Sequence, residues 1–151
     1  MKNNLIKMAS TFFGIGYAPI APGSVASFAA GGLAILLMEH LFLYIFVFVG
    51  ITAIGFWSAG KMERLIEEKD PSCVVIDEAS GIMIAFFMLP RTPEVLILAF
   101  FLFRAFDMFK IYPVSYFERK PGATGIMMDD IVAGVYANVI MRIALYVLKF
   151  A

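Results

Sequence analysis

The sequence predicts an all-α, polytopic membrane helical bundle. It forms one domain over residues 1–151, with about five membrane-embedded helices that include a proline-broken hairpin. Two observations predict this. Of the 151 residues, 62% are hydrophobic and only 16% are charged, against about 25% charged in soluble domains. Charged side chains are also absent from residues 8 to 38 and from residues 41 to 60. At ~1.5 Å per residue the second run reaches about 30 Å, the thickness of a hydrocarbon core. Twelve basic side chains balance twelve acidic ones, so the positive field that gathers nucleic acid is missing. A single cysteine, Cys73, excludes an internal disulfide and a cysteine-only metal cage.

The elements follow in order. Residues 1 to 23 read as an interfacial start and a Gly/Pro loop, Gly14-Ile-Gly-Tyr-Ala-Pro-Ile-Ala-Pro-Gly23. The apolar stretch behind Lys2 and Lys7 is long and broken by Pro19 and Pro22, which argues against a removable signal peptide. A first span runs from about Ser24 to Met38 and a second from Leu41 to about Ala59, with Glu39 and His40 as a tight turn. Lys61 to Asp70 alternates bases with acids and continues the second helix outside the lipid, until Pro71 ends it. Residues 72 to 89 and 94 to 110 form a hairpin across Pro90-Arg-Thr-Pro93, because two prolines in four residues favour a turn over one kinked span. Residues 111 to 130 read as a polar loop, and Ile131 to about Phe150 as the last span, with Arg142 inside it.

Along that path Lys2, Lys7, Lys61, Arg64, Lys69, Arg104, Lys110, Arg119 and Lys120 fall on one side, and Arg91 and Lys149 on the other. The basic excess marks the first side as cytoplasmic. Acids from three separate segments reach that same face: Asp77 with Glu78, Asp107, and Asp129 with Asp130. Each has a structural explanation. An acid near a helix end can reach water, Arg104 and Asp107 can pair at i,i+3, and one of Asp129 and Asp130 can cap the last span. Acids within a membrane are costly, however, and mark ion or substrate sites.

Hard oxygen ligands without histidine or thiolate partners suit Mg²⁺ or Mn²⁺ rather than zinc. His40, the one histidine, lies on the opposite face and reads as a turn residue. The cysteine-phosphatase loop is excluded because Ala79, not arginine, stands six residues after Cys73. Neither an Asp-x-Asp nucleophile loop nor a Gly-Lys-Thr/Ser phosphate loop occurs. Metal-assisted attack by water is what remains.

Four blocks then carry a resemblance to a known family. They are Gly14 to Ser24, Asp77-Glu78-Ala-Ser-Gly81, Phe103-Arg-Ala-Phe-Asp-Met-Phe-Lys110 continuing to Pro113, and Gly122-Ala-Thr-Gly-Ile-Met-Met-Asp-Asp-Ile-Val-Ala-Gly134. In order and spacing the chain resembles the bacterial phosphatidylglycerophosphatase A family over nearly its whole length. It departs from the family pattern at Ser24, Ala26, Ile111 and Ala123, none of which removes a carboxylate or a cation.

The resemblance implies Mg²⁺-dependent hydrolysis of phosphatidylglycerophosphate, a phospholipid in the bilayer, to phosphatidylglycerol and inorganic phosphate at the bacterial inner membrane. Asp77, Asp107, Asp129 and Asp130 are the expected metal ligands. Glu78 is the expected base, with Asp107 and Asp130 counted as catalytic beside it. Arg104, Lys110 and Lys120 are expected to neutralise phosphate charge, and Ser24 to bind phosphate at a helix start. The alternative function is a carboxylate-lined ion or proton transporter. The absence of an internal repeat and the interleaved cations weigh against it.

Overall fold

The computed structural model describes the backbone of residues 2–150 and the side chains of residues 3–148. The side chains of Lys2 and Lys149, counted above for orientation, lie outside that set. The described residues form seven α-helices and no strand: α1 Lys2–Ser10, α2 Pro22–Leu37, α3 Leu41–Ile66, α4 Ile76–Phe86, α5 Pro93–Phe109, α6 Val114–Glu118 and α7 Gly122–Phe150, with a short 3-10 turn at Ile15–Tyr17.

Proline sets several of these boundaries. Pro22 and Pro93 open α2 and α5 from the first turn, where no backbone N–H is needed. Pro71 and Pro90 stand in the links on either side of α4. The expected hairpin is therefore present, with α4 and α5 packed together rather than fused into one span. Arg91 in its turn pairs with Glu39 in the α2–α3 turn, so the two turns share one end of the bundle.

Two helices, Leu41–Ile66 and Gly122–Leu148, are long and apolar enough to cross a membrane. Only 17% and 22% of their apolar windows are buried, unlike the core helices of a soluble fold. The distribution of residue sizes agrees. Ala26, Ala30, Ala34, Ala79, Ala99, Ala133 and Ala137 are fully buried, whereas Phe28, Phe42, Phe46, Phe101 and Leu148 are exposed. Small residues where helices meet and large apolar ones on the outer surface fit helices that pack closely in lipid, with Phe103, Met62 and Ile82 filling the interior between them. The other expected segments are helical but short. At ~1.5 Å per residue, the 16, 11 and 17 residues of α2, α4 and α5 span about 24, 16 and 25 Å.

The polar loop expected over residues 111 to 130 is corrected. It holds α6, and α7 already begins at Gly122. The loop reading rested on charge, but Asp129 and Asp130 are 4% and 3% exposed and belong to the inner face of α7. Their charge marks a buried helix face and not a solvated turn.

Candidate active site

The acids meet because α4 and α7 cross at two glycines. A side-chain carbon on Gly134 would overlap the Gly81 carbonyl oxygen, and one on Gly81 would come within 2.7 Å of the Asp130 carbonyl oxygen. Only glycine permits that approach, which sets the first turn of α4, with Asp77 and Glu78, against Asp130 of α7. Asp77 and Glu78 gain from their place at a helix N-terminus, where the backbone dipole favours negative charge. Glu78 also packs over Gly23 at the start of α2, where a side chain would collide with its Oε1.

One oxygen each from Asp77, Glu78 and Asp130 lies within 4.8 Å of the others. Asp77 Oδ1, Glu78 Oε2 and Asp130 Oδ2 are buried and lack a hydrogen-bond partner among the described residues. Three buried like charges with free oxygens are unfavourable unless a cation joins them. All three are hard oxygen donors, the set that suits Mg²⁺ or Mn²⁺. The residues therefore fit a divalent metal, although the donor set alone does not single out which.

These acids line a cavity of about 360 Å³ at one end of the bundle, together with Ser24, Asp70, Arg104, Asp107, Lys110 and Asp129. Arg104 Nη1 lies 2.6 Å from Asp107 Oδ2, which realises the i,i+3 pair expected from sequence, while Arg104 Nε is buried without a partner among the described residues. Lys110 departs from the expected helix face. It ends α5 in a left-handed conformation at φ 46°, and so turns toward α6 and α7. Its Nζ lies 3.0 Å from Glu118 Oε1 and 3.2 Å from Asp129 Oδ2. Burial by itself would lower its pKa, but the bonds and charges of Glu118 and Asp129 outweigh that and raise it, so the amine stays protonated.

Of the expected ligands, Asp77 and Asp130 reach the shared point, joined there by Glu78, which was expected as the base. Asp107 and Asp129 are engaged in ion pairs with Arg104 and Lys110. Neither Asp129 nor Asp130 caps α7, since both lie about two turns inside it. Lys120 does not line the cavity; it is exposed, with Nζ 4.7 Å from the Tyr116 ring centroid. Asp70 was missed. Its place in an alternating charged segment gave no sign that it would fold back to the cavity mouth. Desolvation raises its pKa, with Lys110 opposing and Glu118, Asp107 and Glu63 adding to the rise.

Free carboxylate oxygens beside fixed cations, at the end of an apolar bundle, are what a membrane lipid phosphatase needs to hold a phosphomonoester at headgroup level. Similarity to known proteins points the same way. Residues 8–145 match the family described as phosphatidylglycerophosphatase A. The chain is 32% identical to the Haemophilus influenzae protein named phosphatidylglycerophosphatase A, over 91% of this chain and 87% of that one. It is 37% identical to the Escherichia coli protein of the same name, over 82% and 73%. A Bacteroides thetaiotaomicron protein named "Putative phosphatidylinositol-3-phosphatase" is 34% identical, over 93% and 94%. No solved structure matches. The chain belongs to the phosphatidylglycerophosphatase A family, and it is a phosphoric monoester hydrolase.

Proposed function

We propose that this protein hydrolyses phosphatidylglycerophosphate to phosphatidylglycerol and inorganic phosphate, with Mg²⁺, on the cytoplasmic face of a bacterial inner membrane. The observation that carries the reading is the meeting of Asp77, Glu78 and Asp130 within 4.8 Å, with unpartnered oxygens, beside Arg104 and Lys110. The family match and the names of the Haemophilus and Escherichia relatives support the substrate. The embedded set is α2, α3, α4, α5 and α7, with α1 at the interface. The excess of basic residues at the cavity end supports a cytoplasmic site.

Asp77 and Asp130 would hold the cation, and Glu78, beside them, would stay off it. When bound, Mg²⁺ supplies Lewis-acid polarisation and a more acidic water. Glu78 Oε2, free of other partners, orients the attacking water and takes its proton. Arg104, fixed by Asp107, and Lys110, fixed by Asp129 and Glu118, neutralise the phosphoryl oxygens as the bond to the glycerol oxygen breaks. Ser24 faces the same cavity from the start of α2 and binds the phosphate there.

Purified protein in mixed micelles should release phosphate from phosphatidylglycerophosphate with Mg²⁺, stop when the metal is chelated, and resume on its return. Faster release from phosphatidylinositol 3-phosphate would move the reading to the substrate in the Bacteroides relative's name. Ion flux into vesicles without phosphate release would overturn it in favour of transport.

A further inference from the structure

The seam between α2 and α5 continues past the acid cavity toward the middle of the bundle. An apolar groove of about 410 Å³ lies there, within the range of about 300–1,000 Å³ common to ligand clefts. Phe28, Gly31, Gly32 and Ile35 form its α2 wall. They follow Ser24, a residue of the acid cavity, at the spacing that keeps side chains on one helix face. The antiparallel α5 repeats the pattern, for Phe101, Phe100 and Ile97 precede Arg104 on the same face. Two helix faces thus carry phosphate-binding groups at one end and an unbroken apolar trough beyond. From Phe28 to Ile35 the trough runs about 10 Å along the helix.

We propose that this α2–α5 groove holds the part of an acyl chain nearest the acylated glycerol in the lipid whose terminal phosphate sits in the acid cavity. The inference rests on the lipid-phosphatase reading and names how that site takes its lipid. Continuity selects the occupant. A phosphomonoester among Arg104, Lys110 and Glu78 leaves the headgroup glycerol and its phosphodiester to span the cavity edge, and the acyl chains on the second glycerol pass along the apolar continuation of the same two faces. Holding one chain fixes the scissile phosphate against the acids, an orienting effect that fluid lipid does not give.

Gly32 offers the test. A side-chain carbon at Gly31 would meet the Phe86 ring at 3.3 Å, whereas one at Gly32 meets nothing within 4 Å. Gly32→Leu therefore fills the groove without forcing the backbone. Gly50→Leu on α3 is the control, since a side chain there also enters open space and lies outside the groove. The readout is phosphate release from dioleoyl phosphatidylglycerophosphate in mixed micelles and from glycerophosphoglycerophosphate, its deacylated headgroup, which has no chain to place in the groove.

Gly32→Leu should raise KM for the dioleoyl lipid about tenfold, equivalent to losing roughly two buried methylenes, and leave the kinetics on the deacylated headgroup within about twofold. Gly50→Leu should change neither. Ile97→Phe, which fills the groove from α5, should reproduce the effect, so that a folding defect in one variant does not decide the matter. Unchanged dioleoyl kinetics in both groove variants would overturn the groove while leaving the phosphatase reading intact. Equal losses on the lipid and on its deacylated headgroup would overturn it as well. So would a change of oligomeric state with intact kinetics, which would give the groove to a second copy of the chain. Failure of the wild type to release phosphate from the dioleoyl lipid would sink the underlying function first.

Discussion

The two ends of this bundle hold polar side chains of similar kinds in opposite states. At the end marked by the two turns, Asn138 donates to the carbonyl oxygens of Ala85 at 3.0 Å and Phe87 at 2.8 Å. Arg142 donates to Asn138 Oδ1 at 2.8 Å and to Phe87 O at 2.9 Å, and Arg91 pairs with Glu39. Asn138 and Arg142 close carbonyls left open where α4 ends. At the other end Asp77, Glu78, Asp130 and Arg104 each keep a buried atom without a partner among the described residues. A polar residue inside a lipid-facing bundle serves the fold when partners close around it. It serves chemistry when an atom is held ready and unsatisfied.

Removing an acid is the hardest test of that contrast. Asp130→Asn should lower phosphate release by a factor on the order of 10³, while thermal unfolding in detergent shows the fold retained or slightly stabilised, because a repelling buried charge is gone. A large loss of stability with normal turnover per folded molecule would make the acid end structural. Gly134→Ala comes next. It pushes α7 from the Gly81 carbonyl, and should cost about 1–3 kcal/mol of stability together with most of the activity, since the same crossing assembles the acids.

Asn138→Ala works at the satisfied end. Leaving the Ala85 and Phe87 carbonyls short of a donor should cost about 1–3 kcal/mol in unfolding experiments, with turnover of the folded fraction within about twofold. Arg91→Ala should do least. Its pair with Glu39 is exposed, at 46% and 68%, so less than about 1 kcal/mol is at stake, and activity should be unchanged.

Much of the architecture was legible from residue chemistry alone. Charge-free runs located α2 and α3, and the proline pair located the α4–α5 hairpin, because proline and charge act locally and leave their mark at the position they occupy. The early start of α7 was not legible. Asp129 and Asp130 lie about two turns into it, and a charge that faces inward reads in sequence the same as one that faces water. The turn of Lys110 away from the face of Arg104 and Asp107 escaped notice for a related reason, since no glycine announced the left-handed end of α5.

By itself, then, the sequence determined a lipid-facing helical chain, its family, and the acids and cations from which its chemistry is drawn. Only the tertiary structure decided which of them act together. It gave Asp77, Glu78 and Asp130 a common point, turned Asp107 and Asp129 to their cations, brought Asp70 to the cavity and left Lys120 outside. The reason is physical. Convergence depends on how closely two helices cross, and here the missing side chains of Gly81 and Gly134 set that distance from positions that carry no chemistry of their own.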